Sequence, residues 1–233
     1  MSATVYLIPT VLAEGRTEVL PAYIRQAVES CSVFFVENER TARRYLKLLW
    51  KEMVIDNYAW HLMKDSDEQV AKAFRQHLKS GHTIGIISEA GCPGVADPGQ
   101  QLISIAQEEV VTIKPLVGPN SILLALMASG MNGQQFRFCG YLPIDAAQRM
   151  KTIRELEQES RQKNCTQIFI ETPYRNNQLL ETLVKTCQAS TKICVAVDLT
   201  GETEWVRTQT PQQWKRAMPQ LHKRPAIFLL YAG

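Results

Sequence analysis

Two glutamate–arginine pairs follow predicted strands, in positions that suit proton transfer and contact with an anion. Glu37 and Arg40 follow the apolar segment "SVFFV", and Glu171 and Arg175 follow "CTQIFI". A carboxylate at a strand end can orient a hydroxyl group or accept its proton, and a guanidinium group can contact a phosphate. The alternative for Glu37 and Arg40 is an exposed, solvated pair without a chemical role, since such pairs add little even to stability. The alternative for the second pair is that its segment only begins a helix, with Thr172 as the candidate cap. Both interpretations stay open at this point.

The loop "SEAGCPGVADPG", residues 88–99, contains three glycines and two prolines, more backbone control than a simple turn requires. It follows the buried-type strand "TIGII". Ligands of open α/β sheets lie beyond the carboxyl ends of the strands, and Gly91 and Gly94 let the backbone approach a ligand closely. The segment therefore predicts a ligand-binding loop. The alternative is a turn in which Asp97 caps the next helix and Pro98 takes its first position.

A second loop of the same kind occurs at "PLVGPNS", residues 115–121, where the strand "VVTIK" meets a helix. Gly118 and Pro119 combine a permissive backbone position with a fixed one. The strands before the two loops flank one crossover helix, so we expect both loops at the same edge of a sheet. Two such loops at one edge favour ligand binding over a purely structural role.

The alternation of strands and helices predicts two α/β domains. In the first half, strands are separated by helices, which predicts βαβ units and a mainly parallel sheet. In the second half, "VAVDLT" and "EWVRT" are joined by a few residues around Gly201, which predicts a hairpin and a mixed sheet. We expect an N-terminal α/β domain over 1–115 and a C-terminal α/β domain over 116–233. The main predicted helices cover about 17–30, 40–49, 67–81, 146–162, 176–188 and 210–217.

The composition limits the class of protein. Among 233 residues, 45% are hydrophobic and 21% charged, as in an ordinary soluble, folded protein, and the net charge of +3 permits a nucleic-acid partner without requiring one. No apolar run reaches the roughly 18 residues of a membrane span, and no signal peptide is apparent. The six cysteines form no C-x-x-C pair. We therefore expect no metal site, reduced thiols and a cytoplasmic location.

Four motifs follow one another along the chain: "SEAGCPGVADPG", "VGPNS", "GYLP" and "ETPYR". They resemble the motifs of the tetrapyrrole methylase family, S-adenosylmethionine-dependent methyltransferases with two α/β domains. They are most similar to the branch that methylates a ribose 2′-hydroxyl of small-subunit ribosomal RNA, whose motifs read S-D-A-G-T-P-x-x-x-D-P-G, P-G-P-S-A, G-F-L-P and E-S-P-H-R. The basic segment "ENERTARRYLKLL" resembles the E-D-T-R segment and basic helix of that branch. The similarity covers residues 4–231.

The resemblance implies S-adenosylmethionine in a cleft between the domains, ribosomal RNA or the small ribosomal subunit as partner, and a homodimer. Methyl transfer needs no metal, and alignment of acceptor, methyl group and sulfur supplies much of the rate. Glu37 is then the candidate base, Arg40 a substrate contact, and Glu171 and Arg175 groups that face the acceptor. The implied cofactor contacts are Ser88, Glu89, Ala90, Gly91, Cys92, Gly118, Pro119, Ser121, Tyr141, Leu142, Ala226 and Ile227.

The chain departs from the branch's pattern after its first strand. "PTVLAEGRTEV" has one glycine where the branch has the glycine-rich T-P-I-G-N-L-G-D, and it carries charges at Glu14 and Arg16. Glu89 and Cys92 also replace the Asp and Thr of the first loop motif. Two alternatives therefore remain: a methyltransferase acting on a tetrapyrrole or another small molecule, and a non-catalytic protein that binds the cofactor.

Overall fold

The computed structural model describes residues 3–63 and 68–233. Its contacts divide the chain into two compact units, Met1–Asn120 and Ser121–Gly233. The predicted boundary between residues 115 and 116 falls at the end of a strand of the first unit.

The first unit contains a sheet of five parallel strands in the order β3-β2-β4-β1-β5. Its elements are β1 (Thr4–Ile8), α1 (Tyr23–Ser30), β2 (Val33–Val36), α2 (Glu39–Leu49), β3 (Ala59–Leu62), α3 (Glu68–Lys79), β4 (Thr83–Ile87), α4 (Gln100–Glu108) and β5 (Thr112–Pro115). Short 3₁₀ turns lie at Thr17–Val19 and Ile55–Asn57. The predicted parallel sheet is confirmed.

Helices cover both faces of this sheet, because successive side chains of a strand point to opposite faces. In β2, Val33 and Phe35 pack into one hydrophobic cluster with α3 and α4. Phe34 and Val36 pack into another with α1 and α2. The continuous apolar run "VFFV" is thus explained by burial on both faces.

Two predicted helices in this unit need correction, and one strand was missed. The predicted helix over 17–30 is broken, because Pro21 disfavours a helical conformation at the residue before it, and Leu20 is extended with ψ 132°. The helix predicted over 67–81 is observed as Glu68–Lys79, and residue 67 lies outside the described residues. The strand β3 was not predicted, because "AWHL" is short, partly exposed and without clear alternation.

The second unit contains a mixed sheet in the order β6-β7-β10-β8-β9. Its elements are α5 (Ser121–Ser129), β6 (Phe136–Tyr141), α6 (Ala146–Lys163), β7 (Thr166–Ile170), α7 (Asn176–Thr186), β8 (Lys192–Val197), β9 (Trp205–Gln209), α8 (Pro211–Arg216) and β10 (Ala226–Tyr231). β6 and β7 are parallel, and the other pairs are antiparallel. The predicted hairpin, observed as β8 and β9, and the mixed sheet are confirmed. The core packs Phe169, Phe228 and Trp214 between this sheet and its helices.

None of the helices among the described residues has the length and hydropathy that crossing a membrane requires. The six cysteines are free thiols.

Candidate functional site

Four strands of the first unit end in one row, and the loops that follow them meet at one edge of the sheet. The register pairs Ile8 and Val36 with Ile87, and Leu7 with Pro115. The loops after β1, β2, β4 and β5 therefore begin at the same edge. The two glycine-containing loops lie there together, as the sequence predicted.

The loop after β1 is hydrogen-bonded to the loop after β4. The Thr10 N–H donates to the Gly91 carbonyl oxygen at 2.8 Å, and the Thr10 hydroxyl donates to the Ser88 carbonyl oxygen at 3.3 Å. The Tyr45 hydroxyl of α2 donates to the Pro9 carbonyl oxygen at 2.5 Å. Thr10 and Ser88 are each 4% exposed. These contacts hold the glycine-poor loop in one position against the candidate cofactor loop.

Glu37 binds the backbone of the same loop. The Glu89 N–H donates to the Glu37 carboxylate at 2.8 Å, and the Thr41 hydroxyl donates to the Glu89 carboxylate. Both glutamates were predicted as site residues, and the structure brings them together. Arg40 lies exposed in the first turn of α2. Sequence reasoning missed Asn38, whose side chain caps α2 by accepting from two backbone N–H groups.

The two glycine-containing loops pack against each other. The Cys92 sulfur lies 3.5 Å from the Pro119 carbonyl oxygen and 3.7 Å from that of Gly118. A Cβ atom added at Gly118 would lie 2.1 Å from the Cβ of Pro9, a distance that no side chain tolerates. Gly91 has φ +76°, a conformation that favours glycine. Gly118 is thus required for close packing and Gly91 for backbone conformation.

Asp97 closes the first loop and does not cap the next helix, which corrects the prediction. Its Oδ1 accepts from the Gly94 N–H at 2.8 Å and the Gly99 N–H at 2.9 Å, and α4 begins only at Gln100. Burial raises the pKa of the Asp97 carboxyl group, and the two backbone N–H groups oppose that shift. Asp97 therefore fixes the shape of the loop that contains Gly94.

A pocket of about 240 Å³ lies beside these loops in the first unit. It is lined by Thr10, Val11, Leu12, Glu14, Gly15, Thr41, Ala42, Arg44, Tyr45, Leu48, Ser88, Glu89 and Ala90. Glu14 and Arg44 form an exposed ion pair at 3.2 Å. Two carboxylates and one guanidinium leave this pocket with a net negative charge among its formally charged groups.

The predicted residues of the second unit share one edge of its sheet. The register pairs Tyr141 and Ile227 with Ile170, and Ala226 with Val197. Because β10 runs antiparallel to β7 and β8, its first residues lie where those strands end. The side chains of Ala226 and Ile227, like that of Leu142, are buried. Tyr141 is 61% exposed.

Glu171 and Arg175 form a partly buried ion pair at the same edge. The Arg175 Nη2 and Nε donate to one Glu171 carboxylate oxygen at 2.7 Å and 3.0 Å, and the Thr172 N–H donates to it at 2.7 Å. The Glu171 side chain is 1% exposed and that of Arg175 32%. Thr172 does not cap α7, which begins at Asn176, so this prediction was wrong. The pair holds the loop after β7 in shape.

A second ion pair at this edge was missed by sequence reasoning. Arg224 donates to Asp198 at 2.6 Å and 2.8 Å, and the Asn176 side chain donates to the Arg224 carbonyl oxygen at 2.6 Å. These residues lie on three segments far apart in sequence, so no local motif links them. Among the described residues, no group of three or more His, Cys, Asp or Glu side chains is arranged to hold a metal ion.

Comparison with solved structures assigns the fold. The structure of diphthine synthase superposes with a TM-score of 0.69 at 11% identity, covering 99% of this chain and 90% of that one. The structure of uroporphyrin-III C-methyl transferase from Thermus thermophilus, complexed with S-adenosyl homocysteine, superposes with a TM-score of 0.59 at 14% identity, covering 98% and 97%. The chain has the two-domain α/β fold of the tetrapyrrole methylases.

Sequence comparison identifies the branch that the chain is similar to. "Ribosomal RNA small subunit methyltransferase I" of Mesorhizobium japonicum is 34% identical over 133 residues, 57% of this chain and 44% of that protein. The protein of the same name in Vibrio cholerae is 27% identical over 202 residues, 87% and 67%. The chain thus spans about half to two thirds of these relatives' length, and no family model matches it. The resemblance predicted from the motifs is confirmed to this extent: the relatives are named as small-subunit ribosomal RNA methyltransferases, and the solved structures share the fold.

Proposed function

We propose that this chain is an S-adenosylmethionine-dependent methyltransferase that methylates a ribose 2′-hydroxyl of small-subunit ribosomal RNA. The observation that carries the proposal is the edge of the first sheet, where the two glycine-containing loops pack against each other through Cys92, Pro119 and Gly118. The relatives' names supply the acceptor class, and the solved methyltransferase that holds S-adenosyl homocysteine supports the cofactor.

The chemistry of the edge fits this cofactor. S-adenosylmethionine carries a sulfonium cation, and the pocket beside the loops holds the carboxylates of Glu14 and Glu89 together with the apolar side chains of Val11 and Leu12. The same carboxylates disfavour a phosphate-bearing cofactor. When bound, the cofactor supplies the methyl group. The residues proposed to hold it are Ser88, Glu89, Ala90, Gly91, Cys92, Gly118, Pro119, Ser121, Tyr141, Leu142, Ala226 and Ile227.

Glu37 is the residue proposed to orient the acceptor hydroxyl and accept its proton. A carboxylate has lone pairs for several donors, so a hydrogen bond from the Glu89 N–H is compatible with this role. Arg40, exposed at the start of α2, is proposed to contact an RNA phosphate. Glu171 and Arg175 are proposed to act on the acceptor from the second unit, with their ion pair fixing the geometry.

The positive charge that α2 offers to RNA is small, because two of its arginines are already paired with glutamates. Arg43 pairs with Glu39 at 2.6 Å, and Arg44 pairs with Glu14. We expect RNA affinity to fall with salt, with a slope that counts the few phosphates contacted. The homodimer implied by the resemblance and the cytoplasmic location expected from the cysteine pattern belong to the same proposal.

The test is titration calorimetry of the protein with S-adenosylmethionine, with a matched pair of glycine variants. Gly118→Ala places a Cβ against Pro9, whereas Gly133→Ala places one where no atom lies within 4 Å. We expect micromolar binding in the wild type and Gly133→Ala, and at least a tenfold weaker affinity in Gly118→Ala. Labelled methyl transfer to small ribosomal subunits then tests the acceptor. A wild type that does not bind the cofactor refutes the proposal.

The ion pair of Glu14 and Arg44 favours one second candidate, a protein that binds the cofactor without turnover. Both residues line the pocket in which the loop departs from the branch's glycine-rich pattern. Single-turnover assays with small ribosomal subunits separate the two candidates. Cofactor binding without S-adenosyl homocysteine formation, in the wild type and in Glu14→Ala, favours the non-catalytic candidate.

A further inference from the structure

Arg149 is a buried arginine without a carboxylate partner among the described residues. It lies near the start of α6 and is 2% exposed. Its Nη1 donates to the Ile144 carbonyl oxygen at 3.1 Å, but its Nε is buried and has no acceptor within the part of the chain that the structure describes. A buried charge is costly unless it is paired, so an anion beside Arg149 would stabilise the folded chain.

The other two partly buried arginines of the second unit are each paired with a carboxylate. Arg175 lies 2.7 Å from the Glu171 carboxylate, and Arg224 lies 2.6 Å from that of Asp198. Both are more exposed than Arg149, with 32% and 30% of their side chains accessible. The most buried of the three is thus the one that lacks an anion.

Arg149 lines a cavity of about 250 Å³ between α6 and α7. The other residues that line it are Ala146, Met150, Gln178, Glu181, Thr182 and Lys185. Arg149 and Lys185 outweigh Glu181, so the cavity has a net charge of +1 among its formally charged side chains. The Thr182 hydroxyl is already bonded to the Gln178 carbonyl oxygen at 2.7 Å. The charged donors therefore come from two different helices.

The direction of the two helices adds to this positive potential. β6 and β7 are parallel, and α6 and α7 follow them directly, so both helices begin at the same edge of the sheet. The N-terminus of a helix carries a partial positive charge that favours anions. Ala146 and Arg149 belong to the first turns of α6 and Gln178 to the first turn of α7, whereas Lys185 lies in the last turn of α7. The helix N-termini therefore act at the Arg149 end of the cavity.

We infer that this cavity binds a phosphate-type oxyanion through Arg149 and Lys185. A tetrahedral oxyanion presents acceptor oxygens in several directions, so it can reach donors on both helices. A guanidinium group suits phosphate because its N–H groups form a fixed planar fork. Inorganic phosphate and the phosphodiester group of a nucleic acid share this chemistry. The inference does not depend on cofactor binding at the first unit.

The experiment follows the Nε–H signal of Arg149 by NMR in the full chain, with the signal assigned by its loss in Arg149→Lys. The probes are inorganic phosphate and a dinucleoside monophosphate, each compared with chloride at the same ionic strength. We expect a saturable shift with at least one phosphate probe and none with chloride. Tighter binding of the dinucleoside identifies a phosphodiester as the source, and tighter binding of phosphate identifies the free ion.

An exposed pair of lysine variants keeps the test independent of folding defects at Arg149. Lys185→Glu reverses a charge at the cavity, whereas Lys215→Glu makes the same change at an exposed lysine of α8 that does not line it. We expect roughly fivefold weaker phosphate binding in Lys185→Glu, the order expected for reversing a solvent-exposed charge nearby, and no change in Lys215→Glu. An Nε–H signal that does not shift saturably with either phosphate probe, or equal effects of both lysine variants, overturns the inference.

Discussion

Three histidines of the first unit form a chain whose protonation should destabilise that unit. The His61 Nε2 lies 3.0 Å from the His77 Nε2, and the His77 Nδ1 lies 3.1 Å from the His82 Nδ1. His61 also stacks on Phe35 of the core, with ring centroids 4.6 Å apart. His77 therefore uses both ring nitrogens, one as donor and one as acceptor when the ring is neutral.

The direction of the effect follows from the pKa shifts. Burial lowers the pKa of His61 below its ordinary value of 6.5, and nearby Glu39 partly opposes this shift. Burial also lowers the pKa of His77, and the charges of His61 and His82 lower it further. The folded chain therefore binds these protons less tightly than the unfolded chain. The stabilisation is complete above pH 6.5 and is lost as the pH falls through the ordinary value toward the lowered ones.

The geometry sets the magnitude. Two full charges 3.0 Å apart, the separation of the His61 and His77 nitrogens, repel each other by about 1.4 kcal/mol at the dielectric constant of water. The repulsion is about 5.5 kcal/mol at an effective dielectric constant of 20. The repulsion opposes double protonation, so we expect the free energy of unfolding of the first unit to fall by on the order of 1 kcal/mol between pH 8 and pH 5.

The assay is urea unfolding of the wild type, His77→Gln and His222→Gln, each at pH 8 and pH 5. Hydrogen exchange of the β2 and β4 amides reports the unfolding of the first unit. We expect His77→Gln to lose less stability on acidification than the wild type, because the central charge is absent. His222 contacts the exposed ring of Tyr174 in the second unit, so its variant should respond to pH as the wild type does. An equal acid response in the wild type and His77→Gln would refute the reasoning.

Two further predictions concern the loops of the candidate site. Glu171→Gln should lower the free energy of unfolding of the second unit by roughly 1.5–3 kcal/mol, because its buried oxygen accepts charged hydrogen bonds from Arg175, and chemical denaturation measures this loss. The same cost in an Arg175→Met background would contradict this coupling. Asp97→Asn keeps an acceptor for the two backbone N–H groups and removes a desolvated charge. The pKa of Asp97 is raised above its ordinary value of 3.8, so ionisation of this carboxyl group destabilises the folded chain. That loss develops as the pH rises from 3.8 through the raised pKa, and the variant should therefore be at least as stable as wild type at pH 7. A variant that is less stable at pH 7 but unchanged at pH 4 in thermal unfolding speaks against this assignment.

The sequence predicted most of the regular structure because that structure is encoded locally. The apolar run "VFFV" marks a strand buried on both faces, and the residues around Gly201 mark the hairpin of β8 and β9. The errors lie where local signals conflict. Pro21 interrupts a segment that is otherwise helical in pattern, and β3 is too short and exposed for a period to be visible.

The candidate site was predictable in position but not in its contacts. Motif order and strand direction placed both glycine-containing loops at one edge. The bond from Glu89 to Glu37 joins residues 52 positions apart, and the bond from Thr10 to Ser88 joins residues 78 apart. Such pairs depend on strand order and register, which no local pattern of side chains encodes. The burial of Glu171 against Arg175 likewise depends on how the loop after β7 turns.

The glycine-poor loop after β1 is the main departure from the branch's pattern, and its contacts explain how the chain accommodates it. Pro9 packs against Gly118 with no room for a side chain there, and its carbonyl oxygen accepts from Tyr45. Thr10 then bonds to Ser88 and Gly91. These contacts reach two other loops and helix α2 of the first unit, so the start of the loop is fixed without glycine. The candidate cofactor loop is therefore not displaced by the departure from the branch's pattern. Any difference in the acceptor that the pocket takes would come from the side chains after Thr10 that line it.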